Sequence, residues 1–563
     1  MGHAETSTPR TTRDPSQRQL YLQAAWADLP RLLGAIDRNP LRATYGCLDR
    51  EYWHYRTSSF PSAMHQEGCL ALALAYSESL PGNRWHGQGR VRELAAAAVA
   101  FAARSSHGDG SCDDYYPFER ALGAAVFSLQ AAARTCRILK LHEPAILDWL
   151  GRRAEWVLNH GESGRLSNHH ALAVLGLWHT GHLPGLERYR DAARSRLRAF
   201  LATQHEEGWF EEYGGADPGY QTLTIDCLAK LHREMANEPG TSALDEGLRR
   251  AVAFARWFLH PDGSYGGLYG SRGTGHFFPH GMELLAARDP HAADLADGHL
   301  EALRQGRQAH FSDDRLYAHR TANLLEAYRD WSADRPGTYP PPPIPERRYF
   351  GGAKLFVHRQ ADRQTIASGA RGGVFCHFRQ SHQTVTDAGL VIQTADGRVA
   401  ASNLHDLRRP VQMALDANVM IIQADLHWIR FETATPWKQA LLHLGMVNLG
   451  RFCRTLVRRL LQRRLITGRR PAPVRLIRRL ELPAAAQGGP ATTSNPSLRV
   501  GDGIELTDPR VQIAAMYFAS DLEPVYIAAS NVYQDRVLEP WTDLSSYVET
   551  LNRDRQVTIV REF

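Results

Sequence analysis

The chain has 563 residues, 43% of them apolar and 22% charged, the balance of a globular protein rather than a disordered or fibrous one. At about 150 residues per domain this length implies two to four domains. The net charge of +6 is local: eleven arginines and no acidic residue lie between Arg451 and Leu480, so the rest of the chain is mildly acidic.

The longest unbroken apolar run, Leu94–Ala103, is far short of the roughly 20 residues that span a bilayer. Met1–Gln17 is polar and lacks the apolar core of a secretory signal, so the expected location is cytoplasmic. Seven cysteines (Cys47, Cys69, Cys112, Cys136, Cys227, Cys376, Cys453) are scattered and never form Cys-x-x-Cys. That pattern points to buried thiols, not a disulfide framework or a thiolate zinc site.

Residues 1–16 read as a flexible tail. From 17 to 335 apolar residues recur every three or four positions, which predicts helix after helix: Ser62–Ser79, Arg90–Arg104, Phe118–Leu141, Pro144–Leu158, Asn168–Thr180, Leu186–Thr203, Pro218–Met235, Ala243–Leu259 and Tyr317–Asp330. Between them Gly110-Ser111, Gly164-Arg165, Gly208-Trp209 and Gly263-Ser264 open polar, often aromatic loops at intervals of 54, 44 and 55 residues. One antiparallel helix pair per interval fits, and pairs that need neighbours to cover their apolar faces stack or close into a ring. The loops would then form a functional rim at one end.

Residues 336–346, rich in proline, read as a stiff extended linker. Beyond it the period changes to two. Lys354–His358, Gly373–Phe378, Gly389–Thr394, Val399–Ser402, Val419–Phe431, Val511–Phe518, Val525–Asn531 and Val557–Val560 read as strands, and Asp396-Gly397 as a type I′ hairpin turn. Residues 347–563 are thus expected to form an antiparallel β-sandwich, interrupted over 436–480 by a basic amphipathic helical insert. The fold class is α+β and multidomain.

Three constellations carry chemistry. Ser167-Asn168-His169-His170 opens a helix, where Ser167 or Asn168 can cap free amides and the dipole keeps imidazoles neutral, as a base requires. Trp209-Phe-Glu-Glu-Tyr213-Gly-Gly-Ala-Asp217-Pro218-Gly-Tyr220 places Asp217 as N-cap, Pro218 at the first helical position and Tyr220 in the first turn, on the same rim as Asn168. The third is His377-Phe-Arg379-Gln-Ser-His382-Gln-Thr-Val-Thr-Asp387, followed by Asn403, His405 and Asp406. Further candidates are His276 and His280, four apart, and the Asp113–Arg120 stretch with Tyr115, Tyr116 and Glu119.

A helical half with Asn-His at one helix start, an Asp-Pro-Gly-Tyr loop, then a β half with a His-rich early strand resembles heparinase II/III-like polysaccharide lyases and their alginate-lyase relatives. The resemblance implies an incomplete (α/α) toroid joined to an antiparallel β-sandwich. It also implies that Asn168 with His169 neutralises a substrate carboxylate, that Tyr220 is the catalytic tyrosine, and that His382 is the histidine from the β half. His170, Tyr213, Trp209, Tyr116 and Arg379 are the expected substrate contacts. Two features depart from the family: its His-x-His-x-Asp strand motif is stretched here to His382 and Asp387, and the basic insert is foreign to it.

The expected activity is β-elimination on a uronate-containing polysaccharide, in cell-surface polysaccharide metabolism. The alternatives are a uronate 5-epimerase using the same proton abstraction and a non-catalytic glycan-binding or assembly protein. No cofactor is required. A structural divalent metal would have His382, Asp387 and His405 as candidate ligands. The basic insert carries Leu449, Cys453, Leu456 and Leu460 on one face and Arg451, Arg454 and Arg458 on the other, which reads as a surface for the inner face of an anionic membrane. Sparse aromatic interleaving speaks against nucleic acid.

Overall fold

A computed structural model describes residues 10–161, 166–236, 238, 240–310, 315–337, 346–360, 363–379, 382–404, 412–416, 418–429, 435–462, 470–482, 498–521 and 538–563. Strand β1 (Arg10–Thr12) precedes a long helical series: α1 (Gln19–Ala35), α2 (Arg50–Trp53), α3 (Gly68–Ser77), α4 (Gly89–Arg104), α5 (Leu122–Leu139), α6 (Pro144–Asn159), α7 (Ser167–Thr180) and α8 (Arg188–Leu201). A small ribbon, β2 (Glu211–Glu212) and β3 (Gly215–Ala216), leads to α9 (Pro218–Glu234), α10 (Thr241–Ala255), α11 (Pro279–Ala286), α12 (Pro290–Gln305) and α13 (Tyr317–Arg329).

Two kinds of helix alternate, and the sequence pattern of each explains its place. Helix α3 is buried on every side from Gly68 to Ala75, as an inner helix must be. Helix α8 buries only Tyr189, Ala193, Leu197 and Phe200, the single stripe of an outer helix. Inner helices α3, α5, α7, α9, α11 and α13 pack in that order, and α13 returns against α3. Helices α1, α4, α6, α8, α10 and α12 lie outside them. The predicted helical toroid is the observed one.

The repeat in the loops has a structural cause. In each of three described loops a histidine N–H donates to the carbonyl four residues on: His107 to Ser111, His205 to Trp209 and His260 to Ser264. The glycine between, Gly110, Gly208 or Gly263, has positive φ. A Cβ on it would lie 2.5 Å from Arg153 N, 2.3 Å from Arg250 O or 2.6 Å from Gly298 O, each on the next outer helix. Glycine is required because the turn sits directly on a neighbouring backbone. The fourth loop, around Gly164, lies outside the described residues.

The tail expectation is corrected from residue 10 onward. Strand β1 pairs with β4 (Asp334–Pro336), because Arg10 ion-pairs with Asp334 at 2.9 Å and Arg13 with Asp297 at 2.8 Å. The proline-rich residues 338–345 lie outside the described residues.

The β half has two antiparallel sheets. One runs β5 (Glu346–Phe350), β6 (Leu355–Gln360), β7 (Arg363–Ser368), β8 (Val374–Arg379), β9 (His382–Asp387) in sequence order. The other is nine-stranded and contains β10 (Leu390–Thr394), β11 (Val399–Ala401), β12 (Gln412–Asp416), β13 (Val419–Trp428), β14 (Pro471–Glu481), β15 (Arg499–Leu506), β16 (Ile513–Phe518), β17 (Thr542–Asp543) and β18 (Gln556–Glu562), ordered β17-β16-β10-β11-β13-β14-β15-β18 with β12 also on β13. Alternation along the first sheet makes it a middle layer. Leu355, Val357, Ile366, Cys376 and Phe378 join the core of the toroid. Phe356, Ala367 and Phe375 pack with Met420, Ile422, Leu480 and Val500 of the second sheet.

Two sequence expectations in this half are revised. The Asp396-Gly397 hairpin forms between β10 and β11, but only Gly397 has positive φ, so the turn is not type I′. Among the described residues the basic insert is helical over α14 (Pro436–Gln462), and residues 471–481 are β14 in the sheet. Its Arg478 is wholly buried, bonded to Asp502 at 2.6 Å and to Asp387 at 2.8 Å, while Arg561 reaches both aspartates at 2.7 Å. Six of the seven cysteines are buried free thiols. The side chain of Cys453 and the expected strand Val525–Asn531 lie outside the described residues.

Candidate active site

The site is built where the inner helices begin. Asp217 is the N-cap of α9 as predicted, accepting from Tyr220 N–H at 3.0 Å. Its second oxygen accepts from Arg272 N–H at 2.9 Å, and Thr274 Oγ1 donates to the first at 2.5 Å. One carboxylate thus fixes both the first turn of α9 and the loop before α11. The loop lies so close that a Cβ on Gly219 would stand 2.3 Å from Thr274 Oγ1.

Helix α7 begins differently from expectation. Ser167 does not cap it; its Oγ donates to Glu211 O at 2.7 Å. The cap is Glu212, far along the chain, whose Oε1 accepts from the Asn168 N–H at 2.9 Å and from Asn168 Nδ2 at 2.6 Å. A carboxylate at a helix N-terminus meets both the free amides and the positive end of the dipole. Asn168 is wholly buried, and its Oδ1 makes no hydrogen bond among the described residues.

These two helix starts meet at Arg272. Its guanidinium approaches Glu212 Oε2 at 3.6 Å, and its Cζ lies 3.7 Å from the Tyr220 ring centroid and 5.3 Å from that of Tyr213. His276 closes the group, edge-on to Tyr220 with centroids 5.2 Å apart. Burial lifts the Glu212 carboxyl above its usual range, against the pull of Arg272 and the Asn168 bonds. Burial acts to lower the Arg272 guanidinium, but Tyr220, Glu212, Tyr213 and Asp217 together overrule it and hold it raised. The result is a desolvated chain in which amide meets acid, acid meets cation and cation meets phenol.

His169 and His170 follow Asn168 and are partly exposed. The His169 ring is edge-on to Phe127 at 5.9 Å, and His319, bonded to Glu67 at 3.1 Å, meets the same phenylalanine at 5.4 Å. Tyr116 lies in the loop before α5 on this rim. There Glu119 accepts from the N–H groups of Asp114 and Tyr115, and Arg315 pairs with Asp114 at 3.1 Å.

Other expected residues lie elsewhere. The Trp209 indole stacks on His205 at 4.4 Å and donates to Glu207 at 2.9 Å. Glu207 also accepts from Gly352 and Ala353 N–H, so this group belongs to the seam with the β half. Arg379 is an exposed side chain ending β8. His382 pairs in backbone register with Arg379, and its side chain lies outside the described residues, as does all of His405.

The metal reading of Asp387 is corrected. Both of its oxygens are taken by Arg478 and Arg561. Burial would raise this carboxyl, but the two guanidiniums hold it low, and a cation there would meet two positive charges. Among the described residues no cluster of three or more His, Cys, Asp or Glu is arranged to hold a metal. His276 and His280 do not share a helical face, because α11 begins only at Pro279. His280 instead joins a buried network with Asp330 at 2.7 Å and Glu326 at 3.4 Å.

The β half buttresses the site. Arg371, in the β7–β8 turn, donates to Gly270 O at 3.0 Å and to Ser271 O, gripping the backbone just before Arg272. Sequence reasoning missed Arg272, Glu212 and the His319–Glu67 pair. Arg272 stands in a loop and Glu212 in the two-residue strand β2, too short to show a period, and only the Glu-Glu-Tyr and Ser-Arg-Gly-Thr strings mark them.

No family model and no curated protein sequence matches the chain. The solved structures to which it is similar include several lyases of polysaccharides. One is a Paenibacillus xanthan lyase, at 11% identity and TM-score 0.48, covering 90% of this chain and 47% of that one. A heparinase III gives 10% identity and TM-score 0.40 over 92% of this chain and 74% of that one. Chondroitin AC lyase of Streptomyces coelicolor A3, in complex with chondroitin sulphate, gives 12% and 0.44 over 92% and 73%. The chain spans about half the length of the xanthan lyase.

Proposed function

We propose that this chain is a polysaccharide lyase that cleaves a uronate-containing polysaccharide by β-elimination. The observation that carries the reading is the buried chain Asn168–Glu212–Arg272–Tyr220 at the starts of the inner helices α7 and α9. Elimination at a 4-linked uronate removes the C5 proton, α to the carboxylate, and expels the O4 sugar. The C5 carbanion delocalises into that carboxylate, so donors must wait where charge develops.

In this reading the uronate carboxylate lies against the Asn168 amide, which Glu212 holds in place by accepting from its backbone N–H and its Nδ2. Tyr220 carries the proton traffic. Arg272 against its ring favours the phenolate that takes the C5 proton, and the resulting phenol returns a proton to the departing O4. His169, on the wet side of Asn168, orients the sugar or shares the base role. Arg272 is a cation that polarises Tyr220 and Glu212 without itself transferring a proton.

The test is the ultraviolet absorbance of unsaturated uronate ends when pure protein meets a panel of uronate polysaccharides, with Tyr220→Phe alongside. A rise that the variant abolishes supports the reading. No rise on any polymer, with solvent deuterium recovered at C5, replaces it with epimerisation. Binding without either signal replaces it with a glycan-binding protein.

A further inference from the structure

The hairpin joining β13 to β14 carries far more chain than its geometry needs. The two strands are paired in register from Val419 with Glu481 to His427 with Pro471, and Trp428 N–H donates to Arg470 O at 2.9 Å. Roughly two to five residues would close such a turn. Residues 429–470 occupy it instead, mostly as α14, a 27-residue helix about 40 Å long at 1.5 Å per residue. An insertion that the sheet does not require points to work outside the sheet.

The helix is inverted relative to an ordinary surface helix. Met446 is 1% exposed and therefore packed against the protein. Trp437, nine residues earlier, lies half a turn round the axis and is 80% exposed. Leu441 and Leu444 share its face, at i+4 and i+7, and are 69% and 61% exposed. The side turned to solvent, where polar residues belong, is apolar for at least two turns. Leu456 and Leu460 are exposed further along.

The sequence of the insert carries charge of one sign. No acidic residue occurs from Thr433 to Leu480. Of the eleven arginines in this stretch, Arg475, Arg478 and Arg479 lie in β14 and pair with carboxylates of the sheet. The other eight lie between Arg451 and Arg470. No described helix is long and apolar enough to cross a membrane.

We propose that α14 is an interfacial helix that docks this protein onto an anionic lipid bilayer, with Trp437, Leu441 and Leu444 entering the acyl boundary and the arginines meeting lipid phosphates. Tryptophan and leucine on one face, in a stretch of sequence rich in arginine and without acidic residues, is the composition such a surface selects. A protein partner would be expected to supply acidic residues in fixed geometry. A bilayer of anionic lipid needs no such fixed geometry. The proposal is independent of the chemistry at the rim.

The full-length protein is sedimented with vesicles of phosphatidylcholine alone and of a three-to-one phosphatidylcholine–phosphatidylglycerol mixture. The expected result is binding to the second only, weakened by salt. A Trp437→Ser/Leu441→Ser/Leu444→Ser variant should bind at least tenfold less with unchanged thermal unfolding. As a readout that needs no triple variant, lipids brominated in the acyl chains should quench fluorescence in wild type more than in Trp437→Phe. Equal binding to both vesicles, no binding to either, or quenching identical in the two proteins overturns the proposal. So does a wild-type dimer that the triple variant converts to monomer, because a second copy would then cover the face.

Discussion

Arg272 lies against Tyr220, its Cζ 3.7 Å from the ring centroid, although Tyr220 stands in the first turn of α9 and Arg272 in the loop before α11. The ring is 3% exposed, so the cation acts on it through little solvent, where electrostatic effects are strong. Tyr220→Phe keeps the ring, its packing and the Asp217 cap, and deletes only the hydroxyl. The expected outcome is a loss of turnover of about 10²–10⁴-fold, the usual contribution of a positioned acid or base, with KM changed only a few-fold and thermal unfolding unaltered. Steady-state kinetics on whichever uronate polymer is cleaved checks it. A variant that keeps most of its turnover removes Tyr220 from the reaction.

The same guanidinium is the counter-charge of Glu212, which is 1% exposed. Removing one member of a buried pair leaves a stranded group, so Arg272→Met should destabilise the protein by about 3–5 kcal/mol. Glu212→Gln keeps acceptors for the Asn168 N–H groups and takes away the charge. The double variant should therefore be more stable than the sum of the single losses implies, with a coupling of about 0.5–3 kcal/mol. Denaturant unfolding of the four proteins measures it. Strict additivity would mean that Arg272 and Glu212 do not interact.

What could be read beforehand followed from local pattern. Helix limits came within two residues at Arg90–Arg104, Pro144–Leu158 and Asn168–Thr180, because apolar periodicity and proline at the first turn act over a few residues. Strand β14 was hidden. Ala472, Val474, Leu476 and Leu480 alternate as a strand should, but Arg478 occupies a buried position in that series. Its partners Asp387 and Asp502 lie on other strands, and only that pairing makes an inward arginine tolerable. The site divides in the same way. Asn168 and Tyr220 are legible because they sit in first turns, while Glu212 and Arg272 acquire meaning only when β2 and the loop before α11 are brought to them.

His169 can be probed without mutating it. A Cβ on Gly123 would fall 2.8 Å from His169 Cε1, closer than packed atoms sit, and α5 gains roughly 0.5–1 kcal/mol of helix preference from glycine to alanine. Gly123→Ala should thus fold, push the imidazole off Phe127 and lower kcat at least tenfold. Kinetics paired with a thermal melt separates this from general damage. Unchanged kcat in a folded Gly123→Ala protein would place His169 outside the reaction.

Glu283 supplies a pH dependence with a definite sign. It lies on α11, accepts from Tyr21 Oη at 2.6 Å and pairs with Arg335, which also holds Asp297 at 2.9 Å. These contacts join α1, α11, α12 and β4 where the ring closes. Burial lifts the Glu283 carboxyl from 4.5 to about 7, with Arg335 pulling the other way and losing. An acid whose folded value is raised binds its proton more tightly when folded, so its contribution is complete below 4.5 and is lost as pH rises through about 7. At 1.36 kcal/mol per unit the loss is on the order of 3 kcal/mol. Glu283→Gln keeps an acceptor for Tyr21 and cannot ionise, so its stability should not fall by that amount over the same range. Other carboxylates titrate in both proteins and cancel in the comparison. Thermal unfolding of the two proteins across this range should show profiles that diverge as pH rises, with wild type falling faster; parallel profiles would mean that Glu283 is already ionised in the folded protein at pH 5.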